Sequence, residues 1–503
     1  MKPNFICTLF AVVILASCSN FDEYNTNPDS TTKVTSAMLA TKALKSTFQL
    51  KGDAKAIIGQ STLPKYVAMS QDYPAEQYNS IGSCSFSSYT IMPNLEMMKE
   101  YSLGLATESS YKGLAEFLNA YNLYRLTMMT GDIPCSEANL ALDGNRKPKY
   151  DTQQEVFNQI LDKLKSADEL FGQGKNIDGD FILGGDVIKW RKATNALRLK
   201  ILLSLSEKIT SEQKQLFNEI VQSHILMEDN ADNLRIVYTK TNGTWHPLYN
   251  QTLFNPYTLV STVVADEMIR LQDRRLFYIA EPAEAEISKG KSESDYEAYV
   301  GADPSVAAEE LNIGHSNGMY SVINDRYISE QAGDPLLILS YSEQCFIIAE
   351  AIELGWTSGN SRDYYEKGVK AAMQLFASYD ENGIYNHGMA IDDEYIAEYL
   401  SGNAAYQTSK EERLKQIWMQ KYFIKFLQDG TDAYFDFRRT GYPELPLNPE
   451  TNMNIDNKIG FPVRWKYPSG EYQTNEENIN EALKRQFTNG YDGTNELMWL
   501  LKD

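Results

Sequence analysis

Histidine is scarce in this chain, four in 503 residues, and His224, His246, His315 and His387 show no metal-ligand spacing. A histidine-built metal centre is therefore not expected, and no cofactor is implied. Cysteine is nearly as rare, five in all, with no CxxC pair to suggest a zinc ribbon or a thiol redox motif. HExxH, a Walker-type loop and the Rossmann glycine fingerprint are all missing, and no catalytic residue is assigned. Paired carboxylates are too abundant to single out a glycosidase constellation. Positive charge is also short: 47 Lys and Arg face 68 Asp and Glu, for a net charge of −21. Such a field repels phosphate backbones, which excludes nucleic acid as a partner, and it suits neutral or cationic ligands.

Long apolar runs are absent apart from one, Phe5 to Ala16, which falls short of the roughly 20 residues of a membrane span. It follows Lys2 and closes on Leu15-Ala16-Ser17-Cys18, the pattern of a bacterial lipoprotein signal. Cleavage after Ser17 would free the Cys18 thiol and amine for acylation, and several acyl chains give stable anchoring where one is marginal. The expected organisation is a signal peptide over 1–17 and a single ligand-binding domain over 18–503, tethered to a membrane through Cys18. With Cys7 removed and Cys18 acylated, Cys84, Cys135 and Cys345 remain, an odd number that cannot form a closed disulfide set. Cys345 lies in an apolar helical stretch, where a small buried hydrophobe is expected.

What the chain does have is helical periodicity. Val156, Ile160, Leu164, Ala167 and Phe171 recur every three or four positions, and Asp151 with Gln154 predicts a capping box at the start of that helix. Val187 to Leu205 repeats the rhythm, followed after a short break by Leu216, Ile220 and His224. Ile338, Tyr341, Cys345, Ala349 and Ile352 form a stripe ending at Gly355, and Tyr365 to Tyr379 make its partner. Another helix is predicted from Ser409, capped with Glu412, through Ile417 and Ile424 to Gly430, and one more over 106–129. Helices in sequential pairs, each with one apolar face, must stack to bury it, so an all-α scaffold of helix pairs follows. The stretches 229–256, 282–336 and 441–470 carry little periodicity and predict long irregular loops, where binding residues concentrate. The Asn176 to Asp180 segment resembles a calcium loop but lacks the distal Glu, and predicts a solvated turn.

Aromatic residues are plentiful: 32 Tyr, 20 Phe and 6 Trp. A ring with a polar tip can lie on the apolar face of a sugar while its hydroxyl bonds the rim. Rings in the irregular segments are the candidates: Tyr73, Tyr78, Trp245, His246, Tyr249, Tyr257 and Tyr320, with Asn79, Asn250 and Asn324 as polar neighbours.

Several segments together resemble the SusD/RagB family of outer-membrane lipoproteins of Bacteroidota. They are Tyr341-Ser342-Glu343 leading to Ile348-Ala349-Glu350-Ala351, then Gln420-Lys421-Tyr422, then Asp436 to Pro443, then Pro462-Val463-Arg464 with Tyr467-Pro468. Gly131-Asp132-Ile133-Pro134 and Trp190 to Lys200 agree, and Asp22-Glu23 is similar to a surface-export signal. The resemblance implies a scaffold of tetratricopeptide-like helix pairs, exposed at the cell surface, capping a SusC-like TonB-dependent transporter. It implies capture of oligosaccharides, or of peptides in an alternative reading, without catalysis. Within the family the chain is most similar to the branch with Gln-Lys, here Gln420-Lys421, where others have Glu-Arg, and Asp273-Arg274-Arg275 departs from a common Asp-Pro-Arg. Arg438 and Arg439 are expected to pair with carboxylates such as Glu343 or Glu350.

Overall fold

The computed structural model describes residues 34–48, 54–140, 144–251, 255–380 and 382–502. Cys18 and the apolar leader lie outside the described residues, and so does Asp22-Glu23. The fold is all-α, a scaffold of tetratricopeptide-like helix pairs with long irregular segments between them. Glu108–Thr130 packs on Gln153–Gly172, which packs in turn on Val187–Ser204, and Val187–Ser204 meets Ser211–Gln222. Further along, Tyr341–Glu353 pairs with Ser361–Ser378 and also contacts Val187–Ser204 and Lys410–Phe423, joining the two halves.

The helix boundaries follow local chemistry. The predicted capping box exists one residue on: Thr152 accepts from the Glu155 amide, and the Glu155 side chain accepts from the Thr152 amide. Asp151 instead turns its carboxylate to the amides of Cys135 and Ser136, at 2.9 and 2.7 Å. Ser409 caps Lys410–Phe423 through the Glu412 amide as expected, but that helix stops at Phe423. Leu427 adopts φ 50° beyond it, and a new helix, Gly430–Thr440, starts under an Asp429 cap, with Gly430 against the Gln60 carbonyl, where a Cβ would not fit. Ile338 belongs to a short strand, Leu336–Leu339, paired antiparallel with Leu234–Ile236, and His224 leaves its helix at φ 56°.

Trp190 is the centre of one core. It is fully buried, edge-on to Phe117 at 5.1 Å and stacked on Phe171 at 6.0 Å. Its indole N–H donates to Asp180 at 2.8 Å, and the same carboxylate accepts from the amides of Ile182, Leu183 and Gly185. In the segment expected to be a solvated turn Asn176 and Asp178 are exposed, but Asp180 is a buried carboxylate hub with its charge spent on four donors.

A chain of buried ions joins the halves. Lys200 reaches Asp432 at 2.6 Å and Glu343 at 2.8 Å, and Lys425 bridges the same two acids at 2.8 and 3.0 Å. Burial pushes the Asp432 carboxyl up, but Lys200, Lys425 and Arg125 outweigh it and hold the group far below its ordinary range. Arg439 pairs with Glu350 as expected. Arg438 does not pair with a carboxylate: it donates to the carbonyls of Val463 and Met128 and lies over the Phe435 ring at 4.7 Å. Burial lowers its pKa to about 10, so it stays charged at neutral pH. Cys345 is buried as expected, Cys84 is buried too, and Cys135 is half-buried.

Candidate ligand-binding site

The sheet of Val67–Met69 and Thr258–Val260 positions one face of the molecule. Its register, Val67 with Val260 and Met69 with Thr258, brings Ser70 beside Tyr257, whose carbonyl accepts from the Ser70 amide at 3.0 Å. The segment that follows, 70–79, is clamped from beneath. Gln77 accepts from the Met69 amide and donates to the Met69 carbonyl. Buried Lys65 donates to the Gln77 carbonyl at 2.6 Å and to Asn79 at 2.8 Å, across a turn in which Asn79 adopts φ 63°. Burial drives the Lys65 pKa down to about 7, with Asp303 opposing.

On this clamped segment Tyr73 is 42% exposed, and it stands edge-on to buried Tyr78 at 5.1 Å. The Tyr78 hydroxyl is anchored to the Val306 carbonyl at 2.9 Å. Helix Ala308–Ser316 closes the face: His315 packs on Tyr257 at 5.4 Å and bonds the Ser70 hydroxyl at 3.2 Å, and Asn312 accepts from Gln71 at 2.9 Å. Tyr320 lies half-buried across Gly314, where any Cβ would strike its ring. Burial lowers the His315 pKa below its ordinary value, against the field of Glu284, so its ring is neutral at pH 7. The result is an aromatic surface rimmed by amide, hydroxyl and imidazole groups. Ser70, Gln71 and Asn312 were not among the candidates; only the polar composition of the run after Met69 signals the first two, and no local pattern signals Asn312.

The structure brings Tyr73, Tyr78, Tyr257 and Tyr320 to this face, and sets Trp245, His246 and Tyr249 in a second group. Trp245 is 40% exposed and edge-on to Tyr249 at 5.3 Å. His246 is buried against Tyr238, accepts from the Leu248 amide, and has its pKa lowered to about 4 by burial, so it faces the interior as a neutral ring. Among the described residues no ring pair links the two groups. Asn324 also points inward, to the carbonyls of Phe277 and Tyr385. Asn79 holds Lys65, and Asn250 adopts φ 59° with its amide on the Ile328 carbonyl.

Two partly open cavities beside the buried ion chain lie elsewhere. One of about 420 Å³ is lined by Tyr121, Arg125, Lys200, Asp432 and Trp465, and one of about 170 Å³ by Lys200, Glu343, Lys421, Asp436 and Arg438. They surround the buried ion chain, whose charges are already paired, and none of the seven candidate rings lines either. An open aromatic surface suits a chain-like ligand better than a small molecule that needs enclosure. Among the described residues no cluster of His, Cys, Asp and Glu could hold a metal ion, and no helix is long and apolar enough to cross a membrane.

Comparison with known proteins places the chain. A SusD-like family model, described as starch-binding and associating with the outer membrane, matches residues 28–468. A SusD homologue from Bacteroides fragilis shares 40% identity at a TM-score of 0.89, over 93% of this chain and 100% of that one. An outer membrane protein from Bacteroides vulgatus that has been linked to nutrient binding shares 30% identity at a TM-score of 0.84, over 93% and 100%. A chitin-binding SusD homologue from Flavobacterium johnsoniae has the same fold, with 17% identity and a TM-score of 0.73 over 93% and 99%. No curated protein matches. A model match across most of the chain, together with a homologue this similar over its whole length, means that the chain belongs to the SusD-like family of outer-membrane-associated proteins.

Proposed function

We propose that this protein binds oligosaccharides at the cell surface and delivers them, uncut, to a SusC-like TonB-dependent transporter. Residues 1–17 are removed as a signal peptide, and 18–503 are held at the outer membrane by acylated Cys18. The observation that carries the reading is the face around Tyr73: an exposed ring held edge-on by a buried one, with neutral polar groups at its rim. Stacking on sugar CH surfaces needs such fixed rings, and the neutral His315 and amide rim match uncharged hydroxyls. Membership in a family described as starch-binding supports the same ligand class. Peptide capture is the second reading, favoured by the net charge of −21, which attracts cationic peptides.

Calorimetric titration of the mature protein with maltoheptaose, chitohexaose and a lysine-rich peptide decides between them. Binding of a glycan without product release is expected, and Tyr73→Ala should cost about 1–3 kcal/mol of it. Binding of the peptide alone would favour the second reading. Release of shorter sugars would refute the absence of catalysis.

A further inference from the structure

Trp245 and Tyr249 sit on an ordered protrusion that the Tyr73 face does not use. The turn beneath them is closed by the Thr239 amide on the Thr244 carbonyl at 2.9 Å and by the Thr244 hydroxyl on the Thr241 carbonyl at 2.9 Å. Its base is tied to the 328–331 segment, where the His246 amide donates to the Gln331 carbonyl at 2.7 Å and the Asn250 amide to the Ile328 carbonyl at 2.8 Å. The indole N–H is itself engaged with the Lys240 carbonyl at 3.3 Å, which fixes the ring while leaving it 40% exposed. Polar groups line the edge: Gln331 donates to the Tyr249 hydroxyl at 3.4 Å, and Glu330 accepts from Tyr385 at 3.2 Å.

The surroundings decide what such a ring takes. Thr239 through Thr244 are exposed and polar or small, so the turn that carries Trp245 adds no apolar surface of the kind a protein partner buries. A fixed aromatic face with a hydroxyl, an amide and a carboxylate at its rim matches a sugar ring, which offers CH groups on one face and hydroxyls at its edge. Tyr249 and Tyr257 are eight positions apart, which caps their separation at about 27 Å. We infer that Trp245 and Tyr249 form a second saccharide platform, and that one long glycan engages both it and the Tyr73 face. This rests on the oligosaccharide reading above. Bridging makes the second contact intramolecular, so affinity grows with ligand length beyond what either platform gives alone.

The test is calorimetric titration of the mature protein, its Trp245→Ala and Trp245→Phe variants and Tyr73→Ala, with maltotriose, maltoheptaose, chitotriose and chitohexaose. In the series that binds, the trisaccharide should occupy two sites on the wild type and one on Trp245→Ala. The long sugar should bind once and lose affinity roughly tenfold or more in Trp245→Ala, with Trp245→Phe keeping most of it. If Trp245→Ala matches the wild type in stoichiometry and long-chain affinity while Tyr73→Ala loses binding, the second platform is refuted and the oligosaccharide reading stands. If no sugar binds the wild type, both fall. Trp245 is surface-placed, so its variants should melt with the wild type.

Discussion

Arg439 and Glu350 form a two-pronged pair, with Nη1 2.6 Å from one carboxylate oxygen and Nη2 3.1 Å from the other. They lie 89 positions apart, on Gly430–Thr440 and Tyr341–Glu353, and Asp436 shares the guanidinium at 3.1 Å. Both side chains are buried, Glu350 almost completely. Arg439→Ala leaves Glu350 with Lys421 alone, at 3.7 Å, and should cost about 3–5 kcal/mol. Calorimetric melting checks it, and an unchanged melt would refute the pairing.

Lys65 is a buried amine without a carboxylate at bonding distance among the described residues, held by the Gln77 carbonyl and the Asn79 side chain. Its folded value, about 7, lies below the ordinary 10.5, so between those limits the unfolded chain binds more protons. Stability from this group therefore rises with pH across that window and is lowest below it. Chemical unfolding between pH 7 and 10 should show the rise in the wild type relative to Lys65→Met. The variant should also speed amide exchange over 70–79, because the Gln77 and Asn79 oxygens lose their donor. Identical pH slopes in the two proteins would sink the argument.

Gln420 and Arg275 meet in one buried circuit. Arg275 and Asp273 are fully buried and paired, and the second Arg275 nitrogen bond goes to the Gln420 oxygen at 2.7 Å. Gln420 in turn donates to the Tyr399 hydroxyl, which donates to Asp273. Since Asp273 already neutralises Arg275, a carboxylate at 420 would be a surplus buried charge with no hydrogen to donate to the Tyr399 hydroxyl oxygen. Gln420→Glu should destabilise by about 2 kcal/mol or more, with the loss shrinking as pH falls and the new acid protonates. Urea unfolding at two pH values measures it; equal stability at both would contradict the closed circuit.

This circuit also shows where sequence reading stops. Gln420-Lys421 and Asp273-Arg274-Arg275 stood out separately, but nothing local says that they meet across 145 positions. Helices were legible because each announces itself within a few turns, as Ser409 with Glu412 did; the break after Phe423 was not, because the chain turns through Leu427 at φ 50°, a residue type that does not announce the left-handed region. The same limit governs the rings. Tyr73 and Tyr78 read alike, and only the segment carrying Val306 decides that one is buried and the other open. His246 is buried in the same way by Tyr238 and the Gly333 backbone, both distant from any local pattern.

Gly314 offers the sharpest test of the Tyr73 face. It lies in Ala308–Ser316, and its missing side chain is what lets the Tyr320 ring rest against the helix. A methyl at this position would overlap the ring, so Gly314→Ala must push Tyr320 outward or shift the helix, at about 1–3 kcal/mol. Because the helix carries Asn312 and His315, a shift would also part the contacts to Gln71 and Ser70, and glycan affinity should fall. Removing the obstacle restores room: Gly314→Ala combined with Tyr320→Ala should be more stable than the sum of the two single losses predicts. A double-mutant cycle on unfolding free energy reads that coupling, and strict additivity would mean that Tyr320 is not seated on Gly314.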